Sequence, residues 1–344
     1  MLKSIVIERE VLPFSHKPHD HCESGAVSNL FNFYGLQLSE PMVFGLGAGL
    51  YFAHISFIKV MDAPIVSYRY LPGSVFKHAA KTLGIEIGME SFRSKAKAQA
   101  VLDEKIKENI PVGLLTDMYY LEYMPEMFRF HFNAHNLVVY GKKSEKYYIS
   151  DSILEMPVML NEEQLMKARF SKGVFSPKGK IYWINKIPEN LNLKIAIKNS
   201  IHTVCKRMSG QRFPWAGYKG MQNLAKNIAG YPIKYKEEKA NALLLNIVRM
   251  QEIVGTGGSG FRTIYANFLK ESAGILNSKE LEVFAKRMFV ISDEWRNFAL
   301  LAAKSAKKKT ISKEESFKNV SDALYAIADQ ERIFFIELNN LELN

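Results

Sequence analysis

The spacing of apolar residues divides the chain into two regimes. Runs rich in β-branched and aromatic side chains, Ser4 to Glu8, Pro111 to Thr116, Asn136 to Gly141, Tyr147 to Ser150 and Lys180 to Asn185, predict strands in the first half. Helical spacing recurs among them at Glu23 to Tyr34, Ser74 to Leu83 and Ser94 to Asn109. Asn136 to Ser150 reads as a hairpin, with its turn at Gly141 to Lys146. After Ile187 and Pro188 the pattern becomes almost wholly helical, which predicts four or more helices over residues 190–344. Asn277 with Glu280 and Ser312 with Glu315 are spaced as helix starts. The change of period predicts a mixed domain over 1–188 and an all-α domain over 189–344, an α+β fold class with a helical C-terminal domain.

A length of 344 residues supports two cores, and 47% hydrophobic against 24% charged residues is the balance of a folded chain. Met42 to Ile58 is apolar, but it is glycine-rich, carries His54 and is short for a spanning helix, so a buried helix or turn is expected and no membrane span. The N-terminal MLKSIVIEREVLPF lacks a basic region followed by an apolar signal core, and the only cysteines are Cys22 and Cys205, which predicts a reducing, cytoplasmic setting. The net charge of +11 favours acidic partners. Lys and Arg are spread through both halves, without zinc-finger spacing or an RNA-binding aromatic signature, which argues against nucleic acid. An acidic carrier protein fits the charge as well.

Cys22 stands just ahead of a helix whose first turn holds small residues, in Pro18-His-Asp-His-Cys-Glu-Ser-Gly-Ala26. A helix N-terminus supplies partial positive charge that favours the thiolate, and backbone N–H groups for an oxyanion. A cysteine nucleophile also needs a base, and the base needs an orienting acceptor. His135 stands at the entrance to the first hairpin strand and Asp151 follows the second. Antiparallel strands joined by a turn bring their outer ends together, so His135 and Asp151 are expected to be neighbours. The set reads as a Cys22-His135-Asp151 triad in which the aspartate fixes the imidazole tautomer.

Other readings compete with this one. Free cysteine is among the most buried residue types, so Cys22 could be inert. His131 and His135 have the spacing of a zinc pair but lack the glutamate of HExxH. His16, His19, His21 and Cys22 cluster within seven positions, but structural zinc sites draw on two separated pairs, and a surface position is expected for His19. Gly255-Thr-Gly-Gly-Ser-Gly260 satisfies the letter of the dinucleotide fingerprint, but a helical pattern precedes it, so it reads as a turn between helices. Gly45, Gly47 and Gly49 lack the Gly-Lys-Ser/Thr of a phosphate loop, and Lys304 to Lys309 reads as a solvated helix end. Neither metal nor cofactor is expected.

The run from His21 to Leu36, followed by Leu38 to Phe52, resembles the N-terminal domain of the butirosin biosynthesis protein H family. The likeness continues through His131-Phe-Asn-Ala-His135 to Asp151. The second half is similar to the helical domain that accompanies it, through Gly255 to Arg262 and Tyr265 to Leu269. The resemblance implies a papain-like domain and an acyltransferase that moves an acyl group from a carrier-protein thioester, or another acyl thioester donor, to the amine or hydroxyl of a small-molecule acceptor. Cys22, His135 and Asp151 match the motif positions. Papain-like enzymes commonly place an oxyanion-hole glutamine upstream of the cysteine, and this sequence has none there. His16 or backbone N–H groups are expected in its place, with His21, Glu23 and Ser24 as further oxyanion or substrate contacts. A cysteine peptidase or amidase of the same fold, using water as acceptor, is the nearest rival. A non-catalytic binding protein is a more distant one.

Overall fold

The computed structural model describes residues 11–60, 62–210, 213–307 and 312–343, so the expected strand Ser4 to Glu8 lies outside the described residues. In chain order the first half carries α1 (Cys22–Phe33), α2 (Glu40–Leu46), β1 (Leu50–Val60), β2 (Ala63–Arg69), α3 (Ser74–Leu83), β3 (Glu86–Glu90), α4 (Lys95–Lys107) and β4 (Val112–Thr116). It continues with β5 (His135–Lys143), β6 (Lys146–Ser150), β7 (Val158–Asn161), α5 (Glu162–Arg169) and β8 (Ile181–Lys186). The second half is helical: α6 (Leu193–Ser209), α7 (Gly217–Lys234), α8 (Glu237–Glu252), α9 (Arg262–Leu276), α10 (Lys279–Lys307) and α11 (Lys313–Asn339). The fold class is α+β with a helical C-terminal region.

Two compact units form, but they do not follow a single cut at residue 188. One joins Met1–Val43 to Leu83–Leu191; the other joins Phe44–Thr82 to Asn192–Asn344. Residues 44–82 therefore belong with the helices. The cause is the β1–β2 hairpin, where Leu50, Phe52, Ala53 and His54 are all buried. It packs on α7, and Phe52 stacks on Trp295 of α10 with ring centroids 5.9 Å apart. Met42 to Ile58, expected as a buried helix or turn, is the end of α2, a turn with Ala48 at positive φ, and most of β1.

In the first unit six antiparallel strands run in the order β3-β8-β4-β5-β6-β7. Alternate residues of the central strands, Val112, Leu114, Leu137, Val139, Tyr147 and Ile149, form a core with Ala98, Leu102 and Ile106 of α4 and Leu165 and Ala168 of α5. α1 packs on β5 and β4, and every residue from Cys22 to Phe31 is buried. A helix enclosed all round must satisfy its polar side chains internally. Ser28 Oγ donates to Leu38 O at 2.7 Å, and Asn29 Nδ2 donates to Lys17 O at 3.0 Å. Gly25 allows the closest approach: a Cβ there would lie 2.6 Å from Ser152 Oγ and 2.7 Å from His19 Cβ. Alanine would gain about 1 kcal/mol of helix propensity. The clash outweighs that gain, so Gly25→Ala is expected to cost about 1–3 kcal/mol in urea unfolding.

The β5–β6 pairing runs Val138↔Ser150, Val139↔Ile149 and Lys143↔Lys146, with a bulge between Val139 and Gly141. The strands thus extend further into the turn than Gly141 to Lys146 suggested, leaving Ser144, at φ 54, and Glu145 to close it. This register places His135 and Asp151 at the same end of the hairpin.

In the second unit Arg262 of α9 and Glu331 of α11 are fully buried and joined, Nε to Oε1, at 2.8 Å; Trp295 Nε1 also donates to Glu331 Oε1, at 2.6 Å. A buried charge needs such pairing. Asn277, expected to open a helix, instead ends α9 in the left-handed conformation, and Ser278 caps α10 by accepting the Leu281 N–H at 3.1 Å. Ser312 caps α11 through the Glu315 N–H. The Gly255–Gly260 loop follows helix α8, and Gly255, Gly257, Gly258 and Gly260 all have positive φ, which glycine alone adopts at no steric cost. Among the described residues no helix is long and apolar enough to cross a membrane.

Candidate active site

Cys22 is the first residue of α1, His135 the first of β5, and Asp151 directly follows β6. His135 Nε2 lies 2.7 Å from Asp151 Oδ2, with both residues almost wholly buried. Cys22 is close enough to His135 to raise the imidazole pKa, and with Nε2 committed to Asp151 the ring nitrogen left for the sulfur is Nδ1. Cys22 Sγ also lies 3.9 Å from the carbonyl of Ala134. The three residues named from the sequence come together in one place.

Burial opposes charge on His135, but the Asp151 charge and hydrogen bond, with the thiol of Cys22, outweigh it and raise the imidazole pKa to about 10. Asp151 is held in turn. Its Oδ2 accepts the Tyr123 hydroxyl at 2.8 Å and its Oδ1 accepts the Ile153 N–H at 3.3 Å. Burial, then the Asp151 charge, push the Tyr123 phenol up, so it remains a donor. Tyr182 donates to Asn136 Oδ1 at 3.1 Å, and Asn136 Nδ2 donates to the Ala134 carbonyl at 3.2 Å, fixing the peptide beside the sulfur. Neither tyrosine carries a sequence signal, because each meets its partner, Asp151 or Asn136, from a distant part of the chain.

The remaining expected residues fall into different places. His21 is the N-cap of α1, its Nδ1 accepting the Ser24 N–H at 3.3 Å, and the Ser24 hydroxyl lies 2.8 Å from the same nitrogen and 3.1 Å from Glu40 Oε1. Ser24 therefore holds the helix start and is not an oxyanion donor. His16 is also excluded from that role: Nε2 donates to Leu154 O at 2.9 Å and Nδ1 is 2.8 Å from Ser150 Oγ, so both ring nitrogens are taken. Glu23 is buried, close enough to Tyr182 to affect its phenol. His19, expected at the surface, has a side chain only 12% exposed, with Nε2 3.3 Å from Asn29 Oδ1. Asn29 Nδ2 reaches Ser150 Oγ at 3.4 Å, so a chain of polar contacts joins α1 to the strand end that carries Asp151.

His131 pairs with Asp117 at 2.8 Å and stacks on Tyr119, apart from the His135–Asp151 pair, so the two histidines do not form a metal pair. Among the described residues no group of three or more His, Cys, Asp or Glu is placed to hold a metal ion. Cys205 is buried in α6, and burial pushes its thiol pKa up.

The first unit is thus a mixed α+β domain in which a helix with a cysteine at its N-terminus is set against an antiparallel sheet that delivers a histidine–aspartate pair to it. The chain belongs to the family defined by DUF4872, a domain of unknown function, which matches residues 163–338, and its residues 21–152 match the N-terminal model of butirosin biosynthesis protein H. Among solved structures it is similar to a protein from Bacillus anthracis described as a C39-like peptidase. That match is 14% identical, covers 54% of this chain and 98% of the other, and has a TM-score of 0.35. No curated protein matches the chain.

Proposed function

We propose that the protein is a cysteine-dependent acyltransferase of secondary-metabolite biosynthesis that moves an acyl group from a carrier-protein thioester to the amine or hydroxyl of a small molecule. The observation that carries this reading is the buried Cys22, His135 and Asp151 constellation at the start of α1. The Cys22 sulfur attacks the thioester carbonyl, with the N–H groups at the start of α1 facing the developing oxyanion. The tetrahedral adduct collapses with cleavage of the donor C–S bond, and the donor thiolate leaves with a proton from His135. The acceptor amine then attacks the acyl-cysteine, His135 takes its proton, and the Cys22 C–S bond breaks. Asp151 and Tyr123 hold the imidazole with Nδ1 turned to the sulfur.

The charge distribution supports an acidic donor. Of the 46 Lys and Arg and 35 Asp and Glu, the unit containing Cys22 holds 18 and 19, and the helical unit 28 and 16, so the helical unit carries +12 and the other −1. From Asn192 to Lys236 nine basic residues occur without one Asp or Glu, and Lys194, Lys206, Lys219 and Lys226 are exposed. Raising the ionic strength to about 0.5 M is therefore expected to raise KM for a donor on an acidic carrier severalfold, and to leave KM for a neutral pantetheine thioester unchanged.

The test of the reaction class is a product analysis with an acyl thioester and a panel of amines and alcohols. Acceptor-dependent amide or ester supports the transferase. Free acid formed at a rate independent of acceptor would make the protein a hydrolase.

A further inference from the structure

Glu40 has no part in the triad, yet it is buried against the start of α1. Its Oε1 accepts the His21 N–H at 2.7 Å and faces the Ser24 hydroxyl at 3.1 Å, while Oε2 accepts the Asp20 N–H at 3.0 Å. The titratable groups facing it are Asp20, His21 and His19, whose Nδ1 is 3.8 Å from Oε2. Burial pushes the Glu40 pKa up to about 7; the donors from His21, Asp20 and Ser24 pull against that shift, and the Asp20 charge adds to it. Burial also lowers the pKa of His19, so that ring supplies no countercharge near neutrality.

The protons in this cluster are linked. To accept the Ser24 N–H, His21 Nδ1 must carry a lone pair. In that state the 2.8 Å contact between Ser24 Oγ and His21 Nδ1 takes the hydroxyl proton, and Glu40 as the neutral acid donates to Ser24 Oγ; the hydroxyl donates to Glu40 Oε1 only when Glu40 is the carboxylate. When Glu40 ionises, the Ser24 hydroxyl turns to donate to the carboxylate. The contact with His21 then requires a proton on Nδ1, which removes the lone pair that caps the Ser24 N–H.

We propose that Glu40 is a positioning residue of the Cys22 site: through Ser24 its protonation sets the His21 tautomer and the N-cap of α1, and with them the reactivity of Cys22. The inference rests on Cys22 being the reactive thiol of the reading above. The neutral acid leaves the cap intact and the helix N-terminus unopposed. The carboxylate removes the cap and adds a negative charge where the helix favours a thiolate, so both effects act in one direction.

The test is the rate of Cys22 alkylation by iodoacetamide from pH 5.5 to 8.5 in the wild type, E40Q and S24A, with two-bond proton–nitrogen spectra of His21 over the same range. Glutamine removes the ionisation, but its NH₂ must face the His21 or the Asp20 N–H, so the comparison is of slopes: from pH 5.5 to 8 the E40Q rate is expected to rise about fivefold more than the wild-type rate. In the wild type the His21 proton moves from Nε2 to Nδ1 with a midpoint near 7, and S24A, in which the relay is cut while Glu40 remains, loses that change. A merely structural Glu40 would lower the rate equally at every pH. Parallel profiles for E40Q and the wild type, a single His21 tautomer throughout, or a Cys22 inert to iodoacetamide would each overturn the proposal. Iodoacetamide needs only the thiol, so a protein that accepts no acyl group loses the transferase reading without deciding this one.

Discussion

Cys22→Ala is expected to reduce kcat/KM for acyl transfer from a thioester by at least about 10⁴-fold, to the level of the uncatalysed exchange. Every later step passes through the bond from the Cys22 sulfur to the acyl carbon, so no other residue can stand in for it. Cys205 offers no substitute: it is buried in α6 and its thiol is pushed up by burial. Cys22 is 6% exposed, and truncation to alanine removes one sulfur from a site backed by Ala134, so the variant is expected to fold with little change in thermal stability. Thioester turnover measured beside the unfolding midpoint separates the two effects.

Asp151→Asn is expected to lower kcat by about 10²- to 10⁴-fold while leaving the fold intact. An amide at this position can offer its NH₂ to His135 Nε2, which then turns the Nδ1 proton towards the sulfur and removes the base. Stability should change its pH dependence as well. His135 has a folded-state pKa raised from 6.5 to about 10, so its contribution is full below about 6.5 and is lost as pH rises through about 10. Wild-type stability should therefore decline across that window, and Asp151→Asn should flatten the decline. Urea unfolding at pH 6, 8 and 10 measures both slopes.

The juxtaposition of Cys22, His135 and Asp151 was legible in the sequence because each sits at the end of an element with a strong local signal. Cys22 precedes a run of small residues and helix formers, while His135 and Asp151 bracket a hairpin whose pairing brings its ends together. The hairpin turn itself was drawn too wide, since β-branched and aromatic content stops at Tyr140 while the ladder continues through Gly141 and two lysines. Tyr123, Tyr182 and Glu40 were not legible. Each meets the site through tertiary packing, and a buried glutamate ahead of a proline reads locally as an ordinary helix start. His16 and His19 were misplaced for the converse reason: they look like free imidazoles in the sequence, but Ser150, Leu154 and Asn29 occupy their ring nitrogens. The β1–β2 hairpin was hidden because Gly45, Gly47 and Gly49 break the period ahead of it. Its buried face is completed by α7 and Trp295, far along the chain.

The central claim is that an acyl group passes through the sulfur of Cys22, and intact-protein mass after exposure to a panel of acyl thioesters on a carrier mimic tests it most directly. The account predicts a mass increase equal to one acyl group, mapped to the peptide containing Cys22, absent in Cys22→Ala and discharged when an amine or alcohol acceptor is added. An unmodified protein under conditions where the thioesters are competent, or an adduct that persists in Cys22→Ala, would contradict it.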